Sequence, residues 1–558
     1  MSLDGYLPIT GWLRTYQPAW LRLDVIAGVT TAAVVIPKAM AMATVAGLPV
    51  ELGLYTVLLP MAIYALMGTS RRLSMSTTST IGILTGAALT DVVHAGNADQ
   101  MLAATATLTL MVGAGLLLAS VLKLGSIANF ISDPVLAGFK SGIGVVIVVD
   151  QLPKLLGIHI TKAGFFRDLL AIVQHVPDTS MATLLVTLGV LVLIFALEHF
   201  VPHSPAPLVA IGLAIAASAA LNLSESGVAV VGAVSGGLPS LVRPRLDLAA
   251  LMWPAATGIA LMSFTESIAA ARAFAAPGEP RPLPNRELLA LGAANAAGGL
   301  FGAMPAGGGT SQTAVNRKAG ARTQLASLVT AAASLATLLV LAPLIGLMPQ
   351  AALAAVVVAY SLDLIQPAEF AAIRRVRRKE FRWAAIAFAG VVLLGTLQGI
   401  LVAVIASLLA LAQQAYDPPV HVVGRKRGTD IFRPRTSDHP DDESWPGLLI
   451  VRVEGRAFFL NAQRIGDKVS SLIADAQPAV VVLDGRALFD IEYTALKMLI
   501  EAEEKLRGQG VMLWLASLNP EVLNVVQQSP LGQTLGRSRM FFNLQSAVTH
   551  YQQTHSAV

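Results

Sequence analysis

Fourteen apolar runs crowd into residues 25–416, near 25–45, 50–67, 76–92, 101–122, 134–151, 181–200, 206–222, 254–275, 286–301, 309–319, 324–344, 350–365, 382–397 and 399–416. Runs of roughly 17–25 apolar residues suffice to cross a bilayer as helices. In hydrocarbon, helices are one of only two ways to satisfy every backbone polar group. The runs therefore predict an α-helical polytopic membrane domain of about fourteen transmembrane (TM) helices over 24–416. Composition agrees: 13% of the 558 residues are charged, about half the ~25% of soluble domains. Cysteine is absent, which excludes disulfides, thiolate metal sites and a cysteine nucleophile. Residues 1–23 carry Asp4, Arg14, Arg22 and two prolines. They lack a continuous apolar core and read as an N-terminal cytoplasmic segment, not a cleavable signal.

Charge placement orients the spans. Arg71 and Arg72, Lys123, Arg272, Arg281 and Arg286 fall in connections on one side, with Arg317, Lys318, Arg322 and the cluster Arg374 to Arg382. The other side holds Lys154, Lys162, Arg167, Arg243 and Arg245, all in two long loops, and long loops weigh little in the positive-inside rule. Both termini are expected in the cytoplasm. A nucleic-acid partner is not expected, because no basic, aromatic-interleaved surface module appears. Beyond 416 the chain turns polar. Residues 417–446 read as a linker, and 447–555 as a small soluble α/β domain: strand-like LLIVRV (448–453) and AVVVL (479–483), a helix over 495–508, and a strand over 511–516.

Two stretches interrupt the apolar pattern. GAMPAGGGTSQTAVNRK (302–318) has three glycines and a hydroxyl-rich start before a short helical pattern beginning at Gly309 to Thr310. RRLSMSTTSTIGILTG (71–86) places Ser74, Ser76, Thr77, Thr78, Ser79 and Thr80 before another short apolar helix. Each follows a longer run holding one ionisable residue. Lys38 precedes Thr77 by 39 residues, and Glu266 precedes Ser311 by 45. This shared plan is that of an inverted repeat, whose broken helices mark the substrate site of secondary transporters. A half-helix start offers unpaired N–H groups and about half a positive charge; two aimed at one point make an anion site, with hydroxyls replacing water. The candidate binding residues are Lys38, Ser76, Thr77, Thr78, Gly309, Thr310, Ser311 and Gln312. The plainer readings are a lysine snorkelling from a helix end, hydroxyls packing helices, glycines forming a tight turn and a structural Glu266. His159, His199 and His203 are isolated, so no metal or other cofactor is expected.

At these residues the chain resembles the SulP family of anion transporters, bacterial relatives of solute carrier family twenty-six. The likeness rests on DVIAG (24–28), PKAMAMATVAGLPVELGLY (37–55), GTSRRLS (68–74), FTESIAAARAFA (264–275) and PAGGGTSQTAVNRKAGA (305–321). VVVLDGRALFDIEYTAL (480–496) looks like the strand-turn-helix motif of a STAS domain. The resemblance implies a seven-plus-seven inverted repeat in core and gate domains, elevator-like alternating access, and a homodimer in the bacterial inner membrane. It implies transport of sulfate, bicarbonate or dicarboxylates coupled to H⁺ or Na⁺, with Glu266 at the coupling-ion position. Three positions depart from the family pattern: Lys38 stands where glutamine is common, Gln312 where arginine is common, and Ser76 and Thr77 where glycine and proline are. Lys38 is expected to supply the charge that Gln312 lacks, pairing with Glu266, the anion or both. Tyr493 stands in place of the phosphorylatable serine of other STAS modules, beside Asp490, so a regulatory or assembly role with a cytoplasmic partner is expected in place of a serine switch. The competing readings are a nucleobase–proton symporter of the same architecture and a passive anion channel regulated through the STAS domain. No triad, metal cluster or phosphate loop points to an enzyme.

Overall fold

The computed structural model describes residues 8–90, 92, 98–129, 132–161, 164–201, 204–234, 236–275 and 279–555. Residues 1–7, Lys162 and His203 lie outside them. The chain divides into two compact units, Met1–Leu408 and Leu409–Val558.

The first unit runs α1 (Ile9–Arg14), α2 (Pro18–Val45), α3 (Val50–Met67), β1 (Met75–Ser76), α4 (Ser79–Thr90), α5 (Ala98–Val121), α6 (Asp133–Leu156), α7 (Phe165–His175), α8 (Met181–Phe200) and α9 (Ala206–Leu221). It continues with α10 (Ala249–Ala273), α11 (Pro284–Leu300), β2 (Gly307–Gly308), α12 (Thr310–Lys318), α13 (Leu325–Ala336), α14 (Ala342–Gly346), α15 (Gln350–Leu362), α16 (Pro367–Val376), α17 (Arg378–Leu394) and α18 (Thr396–Tyr416), whose residues from Leu409 on belong to the second unit. Each of the fourteen apolar runs coincides with helix, and a π-helical segment, Thr337–Leu341, joins α13 to α14. Among the described residues, eight helical segments are long and apolar enough to span alone. The shorter ones include α4 and α12, with 12 and 9 residues.

Packing follows the inverted repeat. With α2–α6, α8 and α9 as one repeat and α10–α13, α15, α17 and α18 as the other, four kinds of contact recur with the repeats exchanged. The first helix of each packs on the fourth of the other (α2 on α13, α10 on α5), and the second on the fourth (α3 on α13, α11 on α5). The third packs on the first (α12 on α2, α4 on α10), and the fifth on the sixth (α6 on α17, α15 on α8).

Without water to expel between helices in lipid, close contact must come from small residues. A Cβ on Gly28 would lie 2.5 Å from the Ala326 carbonyl oxygen, and one on Gly138 2.0 Å from that of Ala384. Helix α8 exposes large apolar residues such as Leu185 and Val192, whereas its buried face mixes Thr183 and Thr187 with Val190 and Ile194.

Asp24 shows what the DVIAG motif does. Its buried carboxylate accepts from the N–H groups of Arg322 (2.7 Å) and Thr323 (3.1 Å) and from the Thr323 hydroxyl (2.7 Å). Those groups lie just before α13, so a carboxylate on α2 fastens the segment that enters a helix of the other repeat, close to that helix's positive end.

The second unit continues with β3 (Val420–Arg425), β4 (Phe432–Pro434), β5 (Leu448–Val453), β6 (Gly455–Ala457), α19 (Ala462–Ala476), β7 (Val480–Asp484) and β8 (Leu488–Ile491). It ends with α20 (Tyr493–Gly508), β9 (Met512–Ala516), α21 (Pro520–Gln527), α22 (Pro530–Leu535), β10 (Met540–Phe541) and α23 (Leu544–His555). The main sheet has the order β10-β9-β7-β5-β3-β4. Strands β5, β7, β9 and β10 are parallel, and β3 is antiparallel to both neighbours. Val480 and Val482 face one core with Leu544 and Val548, while Leu483 and Leu515 face the other with Leu496 and Val522. The alternation is that of a sheet covered on both faces.

The stretch 417–446, read above as a linker, is folded. Its strands β3 and β4 extend the sheet, and Val423 and Phe432 enter the core. Four of the charges that suggested solvated chain are paired, Arg425 with Glu443 at 2.6 Å and Arg433 with Asp442 at 2.8 Å, while others such as Lys426, Arg427 and Asp438 stay exposed.

Asp24→Ala strips three donors of their acceptor, each worth about 1–3 kcal/mol when buried. The variant is expected to unfold several degrees lower in detergent, with Asp24→Asn intermediate. An unchanged melting curve would remove the fastening role of Asp24.

Candidate functional site

The two interrupted stretches meet. Met75 pairs with Gly308 and Ser76 with Gly307 in a buried antiparallel ladder, and α4 and α12 start just beyond its strands. Unwound backbone survives at membrane depth only when protein satisfies it, and here α10, α11, α3 and α5 do so. Ser263 donates to the Ala306 carbonyl (2.7 Å), and the Ser267 hydroxyl accepts from Gly308 N–H (2.7 Å). Asn295 both donates to and accepts from Ala306 (3.0 and 2.8 Å). Thr56 accepts from Met304 N–H (2.9 Å), and Thr109 donates to the Ala303 carbonyl (2.9 Å).

The triple glycine is extended chain, not a turn. Positive φ occurs earlier, at Gly302 (75°). The glycines serve close approach: a Cβ on Gly308 would lie 2.5 Å from Leu73 Cδ1, and one on Gly307 2.9 Å from Ile81 Cδ1.

Both helix starts open on one cavity of ≈ 220 Å³. Of the predicted residues, Lys38, Thr78, Gly309, Thr310, Ser311 and Glu266 line it, joined by Ser79 and Thr80. Thr78 caps α4, accepting from Ile81 N–H at 3.2 Å. Gly309 caps α12 with no side chain, and the N–H groups of Thr310 and Ser311 take no backbone partner among the described residues.

Ser76, Thr77 and Gln312 stand behind the wall. The Gln312 amide folds over Gly309, where a Cβ would lie 2.8 Å from Gln312 Cδ. It donates to the Ser74 carbonyl (2.7 Å) and accepts from the Ser76 hydroxyl (3.0 Å). Gln312 thus ties one half-helix to the other stretch. Asn316 extends the tie, donating to the Arg72 carbonyl at 2.9 Å. The buried Thr77 hydroxyl takes no hydrogen bond among the described residues.

The charges are arranged differently from expectation. Glu266 accepts from the hydroxyls of Thr78 (2.8 Å) and Thr80 (3.0 Å), and its ion-pair partner is Lys140 of α6, at 3.6 Å. Lys38 lies with its ammonium 5.4 Å from the Tyr360 ring centroid, a cation–π contact, under the field of Glu266 and Asp363. Among the described residues Lys38 makes no ion pair within 4 Å. Its apolar flanks keep it inside the protein, so it does not snorkel.

Lys140, Tyr360, Asp363 and Glu369 also line the cavity. Lys140 carries the same signal as Lys38, a single cation in an apolar run (VLAGFKSGIGVVIVV, 135–149). Asp363 follows the last residue of α15, where a carboxylate reads as surface loop.

In the second unit Tyr493 is 82% exposed at the start of α20, and Asp490 pairs with Arg456 at 2.6 Å.

The architecture is shared with solved membrane transporters. The murine solute carrier 26 family member A9 anion transporter matches with a TM-score of 0.89 over 99% of this chain and 94% of that one, at 22% identity. The transmembrane domain of the cyanobacterial bicarbonate transporter BicA matches with a TM-score of 0.60 over 70% of this chain and 98% of its own, at 26% identity. The fold is thus that of a multi-pass membrane carrier with a C-terminal α/β domain.

Residues 21–387 match the sulfate permease family and residues 439–547 the STAS domain. A probable sulfate transporter of Mycobacterium tuberculosis is 34% identical over 99% of both chains. A chloroplastic sulfate transporter of Arabidopsis thaliana is 28% identical over 98% of this chain and 82% of its own. The chain belongs to the sulfate permease family and is a transporter, not an enzyme.

Gln312→Ala removes both amide bonds of the tie. It is expected to cost about 1–3 kcal/mol, lowering the unfolding temperature, whereas Thr310→Val leaves it unchanged. Equal melting temperatures for the two variants would contradict the bridging role.

Proposed function

We propose that this protein is a secondary active carrier of small oxyanions of the sulfate, bicarbonate or dicarboxylate class, binding them between the starts of α4 and α12. The observation that carries the reading is the convergence on one cavity of two half-helix N-termini and the Lys38 ammonium, which makes no ion pair among the described residues. Free N–H groups, hydroxyls and one cation offer what an oxyanion loses on leaving water. The ≈ 220 Å³ cavity has room for such an ion with part of its hydration shell. The sulfate-transporter relatives support the substrate class. A nucleobase carrier would use a second carboxylate near α12, where this chain has Gln312.

Glu266 is the coupling residue in this reading. The anion sits with Lys38, Thr78, Gly309, Thr310 and Ser311; Ser76, Thr77 and Gln312 hold the frame behind them. Helices α2–α5 and α10–α13 pack as a core that carries the half-helices, whereas α6, α8, α9, α15 and α17 form a second group. The cavity between the groups suits elevator-like displacement of the core. The basic connections support an inner-membrane protein with both termini cytoplasmic, and the family resemblance supports a homodimer.

Proteoliposomes offered labelled sulfate, bicarbonate and fumarate under a H⁺ or Na⁺ gradient are expected to accumulate at least one anion saturably. Lys38→Gln is expected to raise its KM about tenfold, equivalent to about 1.4 kcal/mol of lost affinity. Glu266→Gln is expected to abolish gradient-driven accumulation. No saturable flux of any of the three, or an unchanged Lys38→Gln, would overturn the reading.

A further inference from the structure

Two electrostatic contacts cross between the helix groups that flank the cavity, and the repeats relate them with opposite polarity. The first helix of one repeat, α2, sends Lys38 against Tyr360 of α15 and toward Asp363 beyond it. The first helix of the other, α10, sends Glu266 against Lys140 of α6. Helices α6 and α15 are the fifth of their repeats. One repeat thus contributes both cations, and the other both facing carboxylates.

The two cations are in different states. Lys38 has an aromatic ring and the cavity. Lys140 is held by a carboxylate that also takes two hydroxyls, so an entering anion must compete with Glu266 for it. We propose that Lys140 is the residue through which a proton on Glu266 becomes anion affinity. With Glu266 charged, its carboxylate occupies the Lys140 ammonium and repels the anion. With Glu266 protonated, that ammonium is released into the cavity and joins Lys38 on the anion. The same proton unfastens a contact between α6 and α10 that displacement of the core has to break. This rests on the anion-carrier reading above and adds a positioning residue from the opposite helix group.

Among the described residues, the charges facing Glu266 are few. Lys38 approaches from α2 and Lys140 from α6, and Asp363 and Glu369 lie farther round the cavity wall. Helix α4 presents hydroxyls. Helix α5 carries no ionisable side chain between Asp99 and its end at Val121. Glu287 of α11 is engaged by Tyr64 (2.7 Å) and Thr69. Arg317 of α12 points to the Ala273 carbonyl (3.5 Å), at the far end of α10.

The test measures KM and kcat of equilibrium exchange, with no gradient imposed, for the anion that the wild type carries fastest, in proteoliposomes of the full chain on the acid and the alkaline side of neutrality. Wild-type KM is expected to fall as pH falls. Lys140→Gln is expected to raise the acid-side KM about tenfold while changing kcat less, with Lys140→Arg restoring it. Glu266→Gln is expected to hold KM low at both pH values, and adding Lys140→Gln to it raises KM again. The inference is overturned if Lys140→Gln keeps the wild-type KM and pH profile, or if Arg and Gln at 140 are equally impaired. A wild-type KM that follows Na⁺ and ignores pH also overturns it. Absence of flux for every anion in the wild type would instead count against the carrier reading.

Discussion

The membrane unit depends on one small ladder, Met75–Ser76 against Gly307–Gly308. Hydrocarbon does not tolerate unpaired backbone, so a chain that unwinds twice near mid-membrane has to satisfy both stretches internally. Pairing them with each other achieves that and fixes where α4 and α12 begin. The cost is borne by surrounding side chains: Ser263, Ser267 and Asn295 are spent on the backbone of residues 306–308. What remains unspent is the start of α12, and the cavity is built on it.

Charge is distributed on the same principle. Carboxylates with a structural task are saturated by donors, as Asp24 is at the start of α13 and Glu287 by Tyr64 and Thr69. Glu266 is bound more loosely, by two hydroxyls and an ammonium at 3.6 Å from a different helix group. Among the described residues, Lys38 has the Tyr360 ring beside it and no ion-pair partner within 4 Å. A buried charge that is incompletely paired is costly, and its persistence beside the cavity is what a site that must exchange partners requires.

Much of this was legible in the sequence, for identifiable reasons. The apolar runs located fourteen helical segments because lipid-facing helices need length and hydropathy, whatever their neighbours. The half-helices showed themselves because glycines and hydroxyls break that pattern. Pairing of the broken stretches was not legible: two-residue strands have no periodicity to read. Gln312 looked like a ligand because its position suggested one, but its amide reaches back over Gly309, a matter of local space. Lys140 carried the same mark as Lys38 and lacked a repeat-related counterpart to draw attention to it. Residues 417–446 looked like linker because their charges dominate, whereas what folds them is tertiary: strand pairing of β3 and β4, burial of Val423 and Phe432, and the ion pairs of Arg425 and Arg433.

The central claim is that the transported anion lies between the starts of α4 and α12. An experimental structure of the full chain with selenate, read by anomalous scattering, tests it most directly. The account predicts a selenium peak inside the cavity, with its oxygens about 3 Å from the N–H groups of Thr310 and Ser311 and facing Lys38. A peak only among the surface arginines near Arg374, with the cavity empty at saturating selenate, would contradict it.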